Sequence, residues 1–281
     1  MDNIHQIPQR AFTHSGKFHA DDVFSAALLT YLNPKIQIER GYEVPDDYDG
    51  IVFDIGGGEY DHHHEGAPVR ENGVPYGAFG LLWKSFGTVI LTQEEAEHFD
   101  ESFVQPLDLS DNTGSKNEVA EIISLFNPPW DSEIDQDQCF LEAKSLALTI
   151  LRKKFEHIES SRRAEGIVGE ALANAKNQIA VLSQGVPWKK FIIGTDIEFV
   201  IYPSDRGGYC AQGVPLDRDI KELKIYFPEE WRGKRGDELR ESSGIGELHF
   251  CHNSGFLVAT DTVEGAIKAC VVAKERQQES P

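Results

Sequence analysis

Five of the ten histidines in this chain fall at His14, His19, His62, His63 and His64, interleaved with Asp21, Asp22, Asp54 and Asp61. Mixed imidazole and carboxylate donors suit divalent first-row ions such as Mn2+, Fe2+ or Zn2+, whereas a site selecting only Mg2+ is normally built from oxygen ligands. A solitary histidine is ordinarily a surface residue or a satisfied core residue. This density, at strand ends and loops, points to metal instead. Two ions about 3.5–4 Å apart clamp the attacking and leaving oxygens of a displacement at phosphorus, and they lower the pKa of water enough to give hydroxide near neutral pH. The candidate bridging carboxylate is Asp54, which ends the apolar run Ile51-Val52-Phe53 just before Gly56-Gly57-Gly58. No Ser or Cys with a nearby base stands out as a nucleophile, and this chemistry requires none.

These residues need a scaffold. Arg10–Thr13 reads as a short strand, and the loop His14–Lys17 feeds a helix patterned by Val23, Ala26, Ala27, Leu28 and Leu29, with Asp21 and Asp22 at its start. Ile36–Ile38 and Gly50–Asp54 read as further strands, so β and α alternate and a mainly parallel sheet is expected. Ligands collect at the carboxyl ends of such strands, where Asp54 and the loop after Thr13 fall. Helical patterns follow at Tyr76–Phe86, Gln93–Phe103 and Asn117–Phe126 before Asn127-Pro128-Pro129-Trp130 breaks the chain. The expected fold class is α/β in three parts: a metal-binding catalytic domain over 1–130, a long helical connector over 131–176, and a smaller α+β substrate-binding domain over 177–281. In the last part Gln178–Leu182, Phe191–Ile193, Ile197–Tyr202 and Glu247–Cys251 resemble strands. Val263–Lys274 resembles a closing helix, and Glu275–Pro281 a disordered tail.

Composition bounds the partners. The 281 residues carry a net charge of −20, which opposes non-specific attraction to long nucleic acids. Residues 1–130 hold 7 basic and 22 acidic groups, and residues 176–281 hold 14 and 16, so an acidic half precedes a nearly balanced one suited to gripping anions. No apolar run is long enough to span a membrane, and the start MDNIHQIPQR lacks the order of a signal peptide, so a cytoplasmic protein is expected. Cys139, Cys210, Cys251 and Cys270 form no CxxC pair and read as reduced, mostly buried thiols. Arg152-Lys153-Lys154 reads as a solvated helix face.

Asp61-His62-His63 is the triplet that names the DHH phosphoesterase superfamily. With Thr13 to Asp22 (THSGKFHADD), Asp54-Ile55-Gly56-Gly57 and Asp108 to Asn112, the chain resembles the Myg branch, the melanocyte-proliferating-gene or exonuclease-like family. Gly185-Val186-Pro187-Trp188, Trp231-Arg232-Gly233 and His252 to Phe256 extend the resemblance nearly end to end. It implies His14, His19, Asp21 and His62 as metal ligands, Asp54 as the bridge, and Asp108 or Asp111 as the last ligand. It also implies that His63 faces the scissile phosphate while Asp61 orients its neighbours. The chain departs from the family pattern in Ala20-Asp21-Asp22, where Cys-Asp-Glu is usual, and in Asp111-Asn112-Thr113-Gly114, where Asp-Asn-Gly is usual. The roles of Asp22 and His64 therefore stay open.

Phosphate contacts are expected from Arg206, Arg232, Arg235 and His252, with Trp231 as a stacking platform for a base. The implied function is metal-dependent hydrolysis of RNA or DNA from an end, in a cleft between two domains, using Mn2+, Mg2+ or another divalent ion in pairs. A homodimer is compatible with it. The alternatives are a phosphatase or phosphodiesterase for short oligonucleotides or nucleotides, and a non-catalytic metal- or nucleotide-binding module. Peptide hydrolysis finds no HExxH motif.

Overall fold

In the computed structural model, residues 7–218, 220 and 222–279 are described, and the chain divides into compact units Met1–Ile158 and Glu159–Pro281. The expected break at Asn127–Trp130 lies inside the first unit. The expected connector is the 38-residue helix α6 (Gln136–Ala173), which begins in one unit and ends in the other.

The first unit is built on three parallel strands, β1 (Arg10–His14), β2 (Gln37–Gly41) and β3 (Ile51–Val52), in the order β2-β1-β3. Helix α1 (Ala20–Leu32) is buried on nearly every side from Ala20 to Leu29, and from Val23 to Leu29 every residue but Ser25 is apolar. It packs in one core with α2 (Ala78–Ile90), α3 (Gln93–Phe99) and α5 (Glu118–Ser124), and with Phe140, Ala143, Ala147, Leu151 and Phe155 of α6. Helix α3 runs through a single π-turn, Asp100–Val104, into α4 (Gln105–Thr113), which ends on Gly114 in the left-handed conformation. Three parallel strands with helices around them bear out the parallel α/β expectation.

The second unit carries a five-stranded mixed sheet in the order β4-β5-β6-β8-β7. Its strands are β4 (Ile179–Val181), β5 (Phe199–Pro203), β6 (Tyr209–Gly213), β7 (Leu248–Cys251) and β8 (Leu257–Thr260). Phe191–Ile193, expected as a strand, belongs instead to the short helix α7 (Lys189–Ile192) and its cap, with Ile192 buried. Helix α8 (Gly236–Ser243) contributes Leu239 to the core, and α9 (Val263–Glu279) contributes Ala266, Ala269, Cys270 and Ala273. Residues 275–279 continue α9 rather than forming a disordered tail, of which 280 and 281 lie outside the described residues. All four cysteines are free, and Cys139, Cys251 and Cys270 are buried. Among the described residues no helix is long and apolar enough to cross a membrane.

Candidate metal centre

The parallel sheet of the first unit brings residues 40 positions apart to one place. His14 is the last residue of β1, and Asp54 lies just beyond β3 with φ 57°, a left-handed conformation costly for a residue with a Cβ. Its amide donates to the Tyr60 carbonyl at 2.9 Å, so the turn after β3 holds the strained carboxylate in place. Asp21 and Asp22 occupy the first turn of α1, where the positive end of the helix dipole favours anions.

Asp54 joins two groups of donors. On one side, His14 Nε2 lies 3.2 Å from Asp54 Oδ2 and 3.3 Å from Asp22 Oδ2. On the other, His62 Nε2 lies 3.2 Å from Asp54 Oδ1, 3.4 Å from Asp111 Oδ2 and 3.6 Å from Asp21 Oδ2. A third group joins Asp54, His62 and His63. Asp61 accepts from the Gly57 amide at 2.6 Å and sits 2.9 Å from His63 Nδ1, leaving His63 59% exposed beyond it.

The donor set fits cations. Asp22 Oδ2, Asp54 Oδ1 and His62 Nε2 are buried without a hydrogen-bond partner; the last two are 3.2 Å apart but not in hydrogen-bond geometry. Among the described residues no Lys or Arg lies within ion-pair distance of Asp21, Asp22, Asp54 or Asp111. Backbone amides reach Asp21 and Asp22, but the charge of four carboxylates crowded beside imidazoles is balanced by protons or by metal. Burial, reinforced by the Asp54 charge, pushes Asp22 up to about 7 and raises Asp21 and Asp111. Pairing with Asp54 raises His14 to about 9. Burial also pushes Asp54 upward, but the His14 and His62 imidazoles outweigh it and hold this carboxylate below its ordinary value.

The expected ligands separate in space. His14, Asp21, Asp54, His62 and Asp111 converge, together with Asp22. His19 is exposed, its ring 6.5 Å from that of His14 and outside the three donor groups, and His64 is exposed nearby. Asp108 is buried, but its oxygens are engaged: Oδ1 accepts from the Gly80 amide at 3.2 Å, and Oδ2 lies 2.8 Å from Arg70 Nη2. A Cβ at Gly80 would collide with this carboxylate, so glycine lets helix α2 approach it.

Arg70 was not foreseen. Its guanidinium is buried against the Tyr76 ring, pairs with Asp100 at 2.7 and 2.9 Å, and ties Asp108 to the π-turn. Its partners are 30 and 38 residues away, so no local spacing signals it.

In the second unit, Arg206 and Arg235 line one cleft. Arg232 lies 3.4 Å from Glu229, and His252 Nδ1 is 2.9 Å from Ser254 Oγ, its ring against Phe256. Trp231 is fully buried against Phe227 and is no stacking platform; the charged residues around it disguised a core side chain.

A family model labelled MYG1_exonuc and described as "Uncharacterised protein family (UPF0160)" matches residues 10–273. The chain belongs to the MYG1 family. A MYG1 protein of Schizosaccharomyces pombe is 30% identical over 95% of this chain and 97% of its own length, and one of Chlamydia pneumoniae is 32% identical over 90% and 92%. A MYG1 exonuclease of Rattus norvegicus is 29% identical over 92% of this chain and 83% of its own. No solved structure matches. The MYG1 match spans both units.

Proposed function

We propose that this MYG1 chain is a metal-dependent phosphodiester hydrolase of the DHH type, acting on RNA or DNA ends, with two divalent ions held on either side of Asp54. The observation that carries this reading is that Asp54 meets His14, which also faces Asp22, through one oxygen and His62, which also faces Asp21 and Asp111, through the other, with buried donor atoms left unpartnered. His14 and Asp22 would hold one ion, and Asp21, His62 and Asp111 the other. Asp108, held by Arg70 and the Gly80 amide, steadies the start of α2, whose Ala78 and Phe79 amides donate to Asp21. When bound, such a pair supplies Lewis acidity toward water and phosphate oxygens.

Asp61 fixes the His63 ring through Nδ1, which leaves Nε2 on the exposed side to hold a proton for the departing oxygen. The Asp54 carboxylate, held charged by two imidazoles, keeps the two donor groups in register. Arg206, Arg232 and Arg235 supply the cations for phosphate, and His252 a ring nitrogen as a further hydrogen-bonding group. The name exonuclease carried by similar mammalian proteins supports a nucleic-acid substrate.

The charge of −20 favours a second reading, hydrolysis of short oligonucleotides or nucleotides. A panel of labelled mono-, di- and longer oligonucleotides in Mn2+ tests both. Hydrolysis should vanish on chelation and return with Mn2+, and a preference for long strands favours the exonuclease reading over the second. Full activity in exhaustively chelated protein rejects the metal mechanism.

A further inference from the structure

From the contacts around the His14–Gly16 backbone, we infer that Arg40 is a positioning residue for the ion held by His14 and Asp22, acting through that backbone, with Asp137 as its anchor. This deepens the proposed two-ion reading and rests on it for the ion. Arg40 lies near the end of β2, beside Thr13 in the parallel register that pairs His14 with Gly41. Its side chain is 4% exposed, and none of its hydrogen bonds goes to a carboxylate or imidazole of the metal centre.

Each guanidinium nitrogen is spent on a different acceptor. Nε donates to the His14 carbonyl at 3.1 Å, Nη2 to the Gly16 carbonyl at 2.8 Å and Nη1 to Asp137 Oδ1 at 2.6 Å. The carbonyl between the first two, that of Ser15, lies 3.0 Å from His14 Nδ1. A carbonyl oxygen can only accept, so Nδ1 carries a proton and Nε2 is the nitrogen turned toward Asp54 and Asp22. The Ser15 amide in turn donates to the Gly41 carbonyl at 2.8 Å. Arg40 therefore grips the carbonyls on either side of the one that sets the His14 ring.

The guanidinium is itself held in place. It lies 4.4 Å from the ring centre of Phe140 and 5.6 Å from that of Phe18, both buried. Asp137, in the first turn of α6, is favoured there by the helix dipole and fixes the outer nitrogen. Neutralising Asp137 would need one nitrogen; the other two are spent on the backbone that presents His14. Lysine would keep the charge but offers one nitrogen where three at fixed spacing are used. Among the described residues, neither Arg40 nor the 14–16 backbone hydrogen-bonds to His62, Asp21 or Asp111, so the two ions should respond differently to its loss.

The test is calorimetric titration of full-length, metal-stripped protein with Mn2+, in wild type, Arg40→Lys, Asp137→Asn, His14→Ala and the His14→Ala/Arg40→Lys double variant. Wild type should bind two ions. Arg40→Lys should weaken one of them about 10–100-fold and leave the other near wild type. Asp137→Asn should weaken the same ion by less, and at its exposed position it decides the matter should Arg40→Lys not fold. His14→Ala should lose that ion, and adding Arg40→Lys to it should have no further effect on the one that remains. Arg10→Ala, which removes an exposed pair with Glu39 between the same two strands, should leave both unchanged. Two results overturn the inference while the two-ion reading stands: both ions at wild-type affinity in the folded variant, or both weakened equally, as a merely structural arginine would produce. Wild-type protein that binds fewer than two ions refutes the two-ion reading and this role with it.

Discussion

The two units handle charge in opposite ways. Met1–Ile158 carries 11 basic and 28 acidic residues and crowds carboxylates around Asp54 with no Lys or Arg against them; Glu159–Pro281 carries 16 and 19 and leaves two arginines unpaired in a cleft. Folding alone favours neither arrangement, since each group would be better paired with the sign that is missing. Surplus anions call for a cation from outside, and surplus cations call for an anion. Under the proposed phosphodiester hydrolysis, metal would supply the first and substrate phosphate the second.

The largest expected effect breaks the acidic side. Asp54→Asn keeps the shape but replaces the shared carboxylate with a neutral amide, and turnover should fall about a thousandfold or more, with bound metal reduced. Wild-type turnover in this variant means that Asp54 is not the shared ligand. Next is Arg70→Ala. It strands buried Asp108 and removes the ionic partner of Asp100, so urea denaturation should show a loss of about 3–5 kcal/mol, with weaker metal binding as a consequence. A variant as stable as wild type refutes the supporting role assigned to Arg70.

A smaller effect belongs to Asp61, which touches His63 and the Gly57 amide but lies outside the three donor groups. Asp61→Asn should lower kcat about 10–100-fold while leaving metal content near wild type. Loss of metal equal to that in Asp54→Asn would place Asp61 among the ligands instead.

What the sequence made legible follows from distance along the chain. The Asp61-His62-His63 triplet and the THSGKFHADD block are local, and parallel strands bring their ends together by rule, so the convergence of His14, Asp54 and His62 was foreseeable. Arg70 escaped because its role exists only in the fold. Asp22 stayed open because two consecutive carboxylates in one helical turn cannot be ranked by pattern; Asp21 takes two α2 amides, at 2.8 Å each, and Asp22 keeps one oxygen free. In the second unit the signals were weaker. Phe191–Ile193 has strand-forming residues yet spans too few positions to distinguish a strand from one turn of helix, and β6, with Gly and Cys in a five-residue run, offered little pattern at all.

The smallest expected effect is a drift of stability with pH in the metal-stripped protein, and it sharpens the comparison because only the acidic unit should produce it. Asp22 is raised to about 7 in the folded chain, so above its ordinary unfolded value the folded state holds a proton that the unfolded state has released. Its contribution therefore declines as pH climbs toward 7. His14, raised to about 9, stabilises the fold fully below its unfolded value near 6.5 and progressively less between there and 9. Both trends have the same sign from pH 6 to 8. With about 1.4 kcal/mol per pH unit for one group, and both groups leaning on the same Asp54, the expected loss is on the order of 1–2 kcal/mol. Metal must displace those protons, so Mn2+ should stabilise more at pH 8 than at pH 6 and flatten the decline. Thermal melts at several pH values, with EDTA and with Mn2+, measure this directly. Stability that rises from pH 6 to 8 without metal, or an Mn2+ effect independent of pH, would mean that protons and metal do not compete for the Asp54 cluster.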